Sequence, residues 1–236
     1  MAFRLNSRAV LAAAAAACLL ATASLAPGQV QAGDGDTGAY VGIRAIGSAF
    51  SEIRDVETTG FQGTPDVQND TDQVAGPAAV VGWRFKNFPL RTELEAGYRV
   101  RFDLDVRDQA GANTVDYEIN VATAQVLINA ILEWRNQSSF TPFVGGTVGW
   151  ARNYADTQRT VLSSQAQVDQ EQETDNIAWG LMAGVDWRFA QNWSADISYR
   201  FIDLGEVETV RFAGGDQISS DHYFSHDVLF SLYYRF

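Results

Sequence analysis

From Leu90 to Val106 the chain alternates without a break. Leu90, Thr92, Leu94, Ala96, Tyr98, Val100, Phe102, Leu104 and Val106 interleave with Arg91, Glu93, Glu95, Gly97, Arg99, Arg101, Asp103 and Asp105. Successive side chains of an extended strand point to opposite faces, so this period of two predicts one long strand with an apolar face and a charged face. The same rhythm returns three times towards the C-terminus. Trp179, Leu181, Ala183, Val185, Trp187 and Phe189 alternate with small or charged residues, as do Trp193, Ala195, Ile197, Tyr199 and Phe201, and then Val228, Phe230, Leu232, Tyr234 and Phe236.

Weaker strands are expected at about 39–50, 76–85, 117–134 and 140–153, which brings the count to eight. The fourth strand changes phase. Tyr117, Ile119 and Val121 are apolar at odd positions, whereas Val126, Ile128, Leu132 and Trp134 are apolar at even ones, so a bulge or a membrane exit is expected near Ala122–Ala124. Connections alternate between short (86–89, 137–139, 190–192) and long and polar (51–75, 107–116, 155–175, 205–221).

The first 32 residues read as a cleavable export signal. Arg4 and Arg8 start it, an apolar run follows from Ala9 to about Ala26, and Val30-Gln31-Ala32 supplies a small-residue cleavage site. An uncleaved helical anchor is the rival, disfavoured because the run is poor in large apolar residues. Cys18, the only cysteine, lies in this run without the leucine of a lipoprotein site before it, so a mature chain has no thiol for disulfides or thiolate metal sites. Loss of the two arginines takes the formal charge from −12 to −14, which argues against nucleic acid as a partner. The expected organisation is therefore 1–32 signal, 33–38 a short N-terminal segment, and 39–236 one domain.

After the signal, no apolar stretch approaches the roughly 20 residues of a membrane helix, so a spanning structure must be a closed sheet. The expectation is an all-β, eight-stranded antiparallel up-and-down transmembrane barrel with short periplasmic turns and four long extracellular loops. Aromatics near strand ends, among them Trp83, Phe85, Trp134, Trp187 and Trp193, suit an interfacial belt.

In such a barrel the alternation sends Arg44, Arg84, Arg91, Arg99, Arg101, Arg188, Arg200 and Arg235 inward, with Glu93, Glu95, Asp103, Asp105, Glu133, Asp186, Asp196 and Asp227. An eight-stranded interior is filled by side chains, so these charges are expected to pair as a plug. A gate or ion path is the second reading. It centres on Glu93 and Glu95 beside Arg99 and Arg101, with Asp186, Arg188, Asp196 and Arg200 as further pair candidates.

Catalytic, cofactor and metal sites are not expected. Ser225, His226 and Asp227 have the composition of an acyl-transfer set, but adjacent strand residues face opposite ways, so Ser225 and His226 cannot share a site without a bulge. His222 and His226 lack a third ligand for metal or haem. Asp66, Asp70 and Asp72 lack the glycine and closing glutamate of an EF-hand, and Gly145, Gly146 and Gly149 precede no helix and read as close-packing glycines.

Terminal Phe236, with Tyr234, Leu232, Phe230 and Val228 at every second position before it, resembles the carboxy-terminal signal of small outer-membrane barrels typified by the OmpA membrane domain and the opacity surface proteins. Tyr40-Val41-Gly42, Pro142-Phe143-Val144-Gly145-Gly146, Ala183-Gly184-Val185-Asp186-Trp187-Arg188 and Tyr199-Arg200-Phe201 are similar to other strands of that family. The resemblance spans 38–236. It implies an outer-membrane location, lipid and lipopolysaccharide as surroundings, and the barrel-assembly machinery as a partner through the last strand; a monomer is expected because barrel closure removes the strand edges that would recruit a neighbour. A structural surface protein offering loops to host or other ligands is the expected role, ahead of a narrow porin-like conduit and, third, a lipid-modifying enzyme.

Overall fold

The computed structural model describes residues 37–68 and 70–236, so the signal and cleavage reading lies outside the described residues. In chain order the strands are β1 (Gly38–Thr59), β2 (Thr64–Gln68), β3 (Thr71–Asp72), β4 (Ala75–Arg84), β5 (Leu90–Gln109), β6 (Val115–Glu133), β7 (Phe140–Val161), β8 (Ala166–Arg188), β9 (Trp193–Asp203), β10 (Val207–Glu208) and β11 (Gln217–Arg235). One short 3-10 turn, Gly111–Asn113, separates β5 from β6. Eight long strands pair antiparallel in the order β11-β9-β8-β7-β6-β5-β4-β1. Pairing of β1 with β11, from Tyr40↔Arg235 to Thr59↔Gln217, closes the ring.

Closure removes the sheet edges that a bilayer cannot tolerate. The outer surface near the short turns is apolar: Ile43, Leu94, Ile128, Val148, Leu181, Ile197 and Phe230 are all exposed there. In water such a band would be an aggregation site, whereas in a membrane it is the lipid face. Below it an aromatic girdle contains Trp83, Trp134, Phe140, Trp187, Trp193 and Phe236, several in ring contact, as in Phe140–Trp187 and Trp193–Tyr234.

The strands run on well beyond this band. The polar stretch 155–175 lies on the extracellular side but is no excursion: β7 and β8 pair continuously out to Val161↔Ala166, turning at 162–165. β5 and β6 likewise pair out to Asp108↔Val115. The barrel thus has two storeys, a membrane half and an extracellular half of paired strands.

The phase change in β6 is a membrane exit and not a bulge. Its odd residues face inward along the whole strand, from Glu133 through Asn129, Gln125 and Thr123 to Val121, Ile119, Tyr117 and Val115. What changes is the surroundings. Even positions touch lipid at Ile128 and water at Glu118, and the inward row changes from polar to apolar to match.

The bulge sits on the neighbour. Between Arg99↔Thr123 and Phe102↔Val121, the two residues Val100 and Arg101 oppose the single Ala122. One extra residue reverses every later side chain of β5. Phe102, Leu104 and Val106 therefore point inward, while Asp103 is exposed and Asp105 half-buried on the outer face. The expectation that Asp103 and Asp105 line the lumen is corrected by this one residue, and Arg101 lies at the bulge itself.

Candidate functional site

The membrane half is lined by arginines and carboxylates that the inward parity of seven strands brings together. From the periplasmic end, Arg84 donates to Glu133 at 2.8 Å, and Arg135 reaches the same carboxylate at 3.1 Å. Arg235 donates to Asp186 at 2.8 Å. Arg91 lies 3.2 Å from Asp196 and 3.4 Å from Glu93, with its guanidinium 4.7 Å from the centre of the Phe143 ring. Arg44 donates to Glu93 at 3.0 Å and also to Glu95. Arg200 then joins Glu95 at 3.0 Å to Asp227 at 3.1 Å, and Arg99 donates to Asp227 at 2.9 Å.

Arg91 also lies 3.7 Å from Glu133 and 3.6 Å from Asp186, so the pairs are linked into one chain along the barrel axis. The neutral groups around them supply the remaining hydrogen bonds. Tyr40 donates to Glu93 at 2.9 Å, Tyr233 to Asp196 at 2.7 Å, Gln125 to Glu95 at 3.0 Å and Ser225 to Asp227 at 2.7 Å. Asn129 reaches both glutamates at 3.2 Å. Buried charge is tolerated when it is paired and its remaining lone pairs are bonded, and here both conditions are met at Glu93, Glu95 and Asp227.

Of the sequence-derived pair candidates, Glu93, Glu95, Arg99, Asp186, Asp196 and Arg200 are buried in this network. Arg188 is half-buried at the periplasmic mouth beside Arg84, Arg135 and Arg235. The expected partnership of Glu93 and Glu95 with Arg99 is not what forms, and the Arg101 side chain lies outside what is described. Arg44 bridges both glutamates from β1, two strands away over β4, Arg200 takes the second lobe of Glu95 from β9 across the barrel, and Arg99 is committed to Asp227. Stacking along one strand places Arg99 one level too high, whereas the closed ring brings β1 and β9 to the glutamates.

Sequence reasoning missed the aromatic part of the plug. Tyr40 and Tyr233 meet edge to face, centroids 5.3 Å apart, and both hydroxyls point into the ion-pair chain. Glycines clear the space: a Cβ at Gly82 would lie 2.2 Å from Tyr40 Cζ, and one at Gly42 would lie 2.4 Å from Tyr233 Cδ1. Glycine at an inward position beside a strand that carries an inward tyrosine is the signal that could have found this pair.

The extracellular half has the opposite interior. Phe102, Leu104, Val106, Val115, Tyr117, Ile119, Val121, Ile202, Leu204, Val207, Phe212, Ile218 and Tyr223 form one buried apolar cluster. The segment after β9 folds inward to contribute Leu204, Val207 and Phe212, so the last long loop closes the top of the barrel. It is pinned there by Asp216, which accepts hydrogen bonds from Tyr117 and, at 2.6 Å, from Arg159. Burial raises the Asp216 carboxyl, but those two donors outweigh it and hold the group below the usual carboxylate range. Burial and the neighbouring carboxylate push the Tyr117 hydroxyl up.

The serine–histidine–aspartate composition near the C-terminus does not assemble. Ser225 and Asp227 face inward and bond to Arg99, whereas His226 faces outward and stacks on Phe50 with centroids 4.1 Å apart. His222 is also outward, 3.2 Å from Asp203. Asp66 and Asp72 are tied into loop hydrogen bonds with Gln109 and the Asp103 amide. Among the described residues no group of three or more His, Cys, Asp or Glu is placed to hold a metal.

The outer membrane protein PagN of Salmonella typhimurium is 25% identical over 228 residues, covering 92% of this chain and 93% of that protein. Among solved structures, OprG of Pseudomonas aeruginosa is 12% identical with a TM-score of 0.49, covering 85% of this chain and 98% of its own. Neisserial surface protein A is 16% identical with a TM-score of 0.46, covering 84% and 97%. Residues 11–236 match the family described as the outer membrane protein beta-barrel domain, and the chain belongs to that family as a surface protein of the outer membrane.

Proposed function

We propose that this barrel is a sealed anchor that supports the envelope and presents its extracellular storey for recognition, and that it is not a conduit. The observation that carries the reading is that the inward positions are filled at both levels, by a connected ion-pair network in the membrane half and by an apolar core in the extracellular half. An ion crossing this path would have to break paired buried charges and then enter a dry cluster, each at a cost of several kcal/mol. On this reading the N-terminal 32 residues direct export, the assembly machinery engages the last strand through Val228, Phe230, Leu232, Tyr234 and Phe236, and the mature protein is a monomer in lipid and lipopolysaccharide.

Two measurements test it. Refolded protein in a planar bilayer should give no stable openings, and neither Glu93→Gln nor Arg99→Gln should create them. Persistent conductance altered by those changes would make the network a gate and favour the porin-like alternative. Cells carrying the protein should bind cultured epithelial cells better than cells without it. That gain should vanish when 157–170 is replaced by a tight turn in a barrel that still shows its heat-sensitive gel mobility.

A further inference from the structure

The extracellular storey is not a closed cylinder. β9 ends at Asp203, opposite Trp179, whereas β8 continues outward for thirteen more residues to Ala166. Just above the end of β9, Asn176 ties down the following loop by donating to the Glu206 carbonyl at 2.9 Å and accepting from its amide at 3.0 Å. Beyond that point, among the described residues, no strand pairs with the outer side of β8. Nine residues, Ala166 to Thr174, therefore present an open strand edge of about 30 Å.

Which backbone groups it offers follows from the ladder. Arg188 donates its amide to Ser139, so even residues of β8 bond β7, and no register shift intervenes along the pairing. The amides and carbonyls of Gln167, Asp169, Glu171 and Glu173 consequently point to the open side. The same odd residues carry their side chains on the outer face, all exposed, with Asp175 continuing the row and Asp156 beside it on β7. Arg152 is the one cation on this face of the hairpin and is paired with Glu173 and Asp175.

We infer that the β8 edge is a docking site for an extended, basic polypeptide segment that adds as a further strand, with Lys or Arg at alternate positions facing Asp169, Glu171 and Glu173. Strand addition draws affinity from main-chain hydrogen bonds and specificity from alternate side chains. An added strand places its side chains about 5 Å from this carboxylate row, so opposite charge is favoured and like charge rejected. A second copy of this chain is excluded by the same rule, because edge-to-edge pairing sets carboxylate against carboxylate. The edge is also straight and long, unlike the short or bulged edges that proteins use to prevent pairing. The inference rests on the recognition reading above and names its partner class.

The probe is a capped nine-residue peptide alternating Lys with Thr, titrated against the mature protein in lipid nanodiscs. It should bind, while the same peptide with Glu for Lys should not. N-methylation of its alternate backbone amides should abolish binding at unchanged charge. Glu171→Pro removes one open-side amide without touching the β7 ladder and should weaken binding by roughly tenfold, with Glu171→Gln costing less. Retention of heat-sensitive mobility checks the fold of both variants. Equal binding of the N-methylated peptide would overturn strand addition in favour of diffuse attraction, and no binding of any peptide would make the acidic row a guard against pairing. If cells still attach through the hairpin while the peptide fails, this inference falls and the recognition reading stands. If attachment also survives removal of the hairpin, that reading falls too.

Discussion

The two storeys of this barrel share six long strands, β1, β5, β6, β7, β8 and β11, and reverse their chemistry. In the membrane half the outside is apolar and the inside holds charge; in the extracellular half the outside is charged and the inside is apolar. Two neighbouring strands cross the boundary in different ways. β6 keeps its faces and changes the phase of its sequence, so that Ile128 and Glu118 lie on the same outer face. β5 keeps the phase of its sequence and changes faces through the bulge at Val100–Arg101, so that Leu94 faces out and Leu104 faces in. The physical demand is common to both: apolar surface goes to lipid below and to the core above, because water is the outer solvent only above.

The comparison can be broken most strongly from the inside of the membrane half. Glu95→Ala leaves Arg44 and Arg200 buried without a shared partner, and should destabilise the folded barrel by about 3–5 kcal/mol in urea unfolding from lipid vesicles. Next comes the outer face of β6. Ile128→Lys should cost about 2–4 kcal/mol because the charge meets lipid, whereas Glu118→Lys, on the same strand and face, should stay within about 0.5 kcal/mol because it meets water. Equal costs at the two positions would erase the boundary proposed between them.

Smaller effects sharpen the upper storey. Tyr117→Phe removes a donor to the Asp216 carboxylate and should cost about 1.5–3 kcal/mol, read as earlier loss of protease resistance in 204–216. The same site sets a pH dependence. The folded carboxyl of Asp216 lies below its unfolded value, so its contribution is fully present above about pH 4 and is lost as pH falls through the folded value. The 204–216 segment should therefore loosen in acid and be indifferent between pH 6 and 8, and Tyr117→Phe should blunt that acid response.

Much of the site was legible from parity. Glu93, Glu95, Asp196 and Arg200 sit inward because strict alternation in flanking segments leaves no other choice once the apolar face meets lipid. Partner identity was not legible. Arg44 reaches Glu93 and Glu95 over β4, and Arg200 reaches Glu95 from β9 across the barrel, neighbourhoods set by sheet order, ring closure and stagger and not by spacing along any strand. Asp103 and Asp105 were misplaced for a related reason: a single inserted residue is invisible in a sequence whose alternation runs straight through it.

What the sequence determined alone was the element type, the strand count, and the membrane as the solvent of one face. Period two and aromatic strand ends suffice for those, because they are local or compositional properties. Alternation is symmetric under exchange of faces, however, so it does not say which face is inside at a given height. The tertiary structure decided that, by closing β1 on β11, placing the bulge on β5 where its neighbour changes phase, and folding Leu204, Val207 and Phe212 into the top of the barrel. Each of these depends on what lies across the ring, and burial against a partner far along the chain is information that no single strand carries.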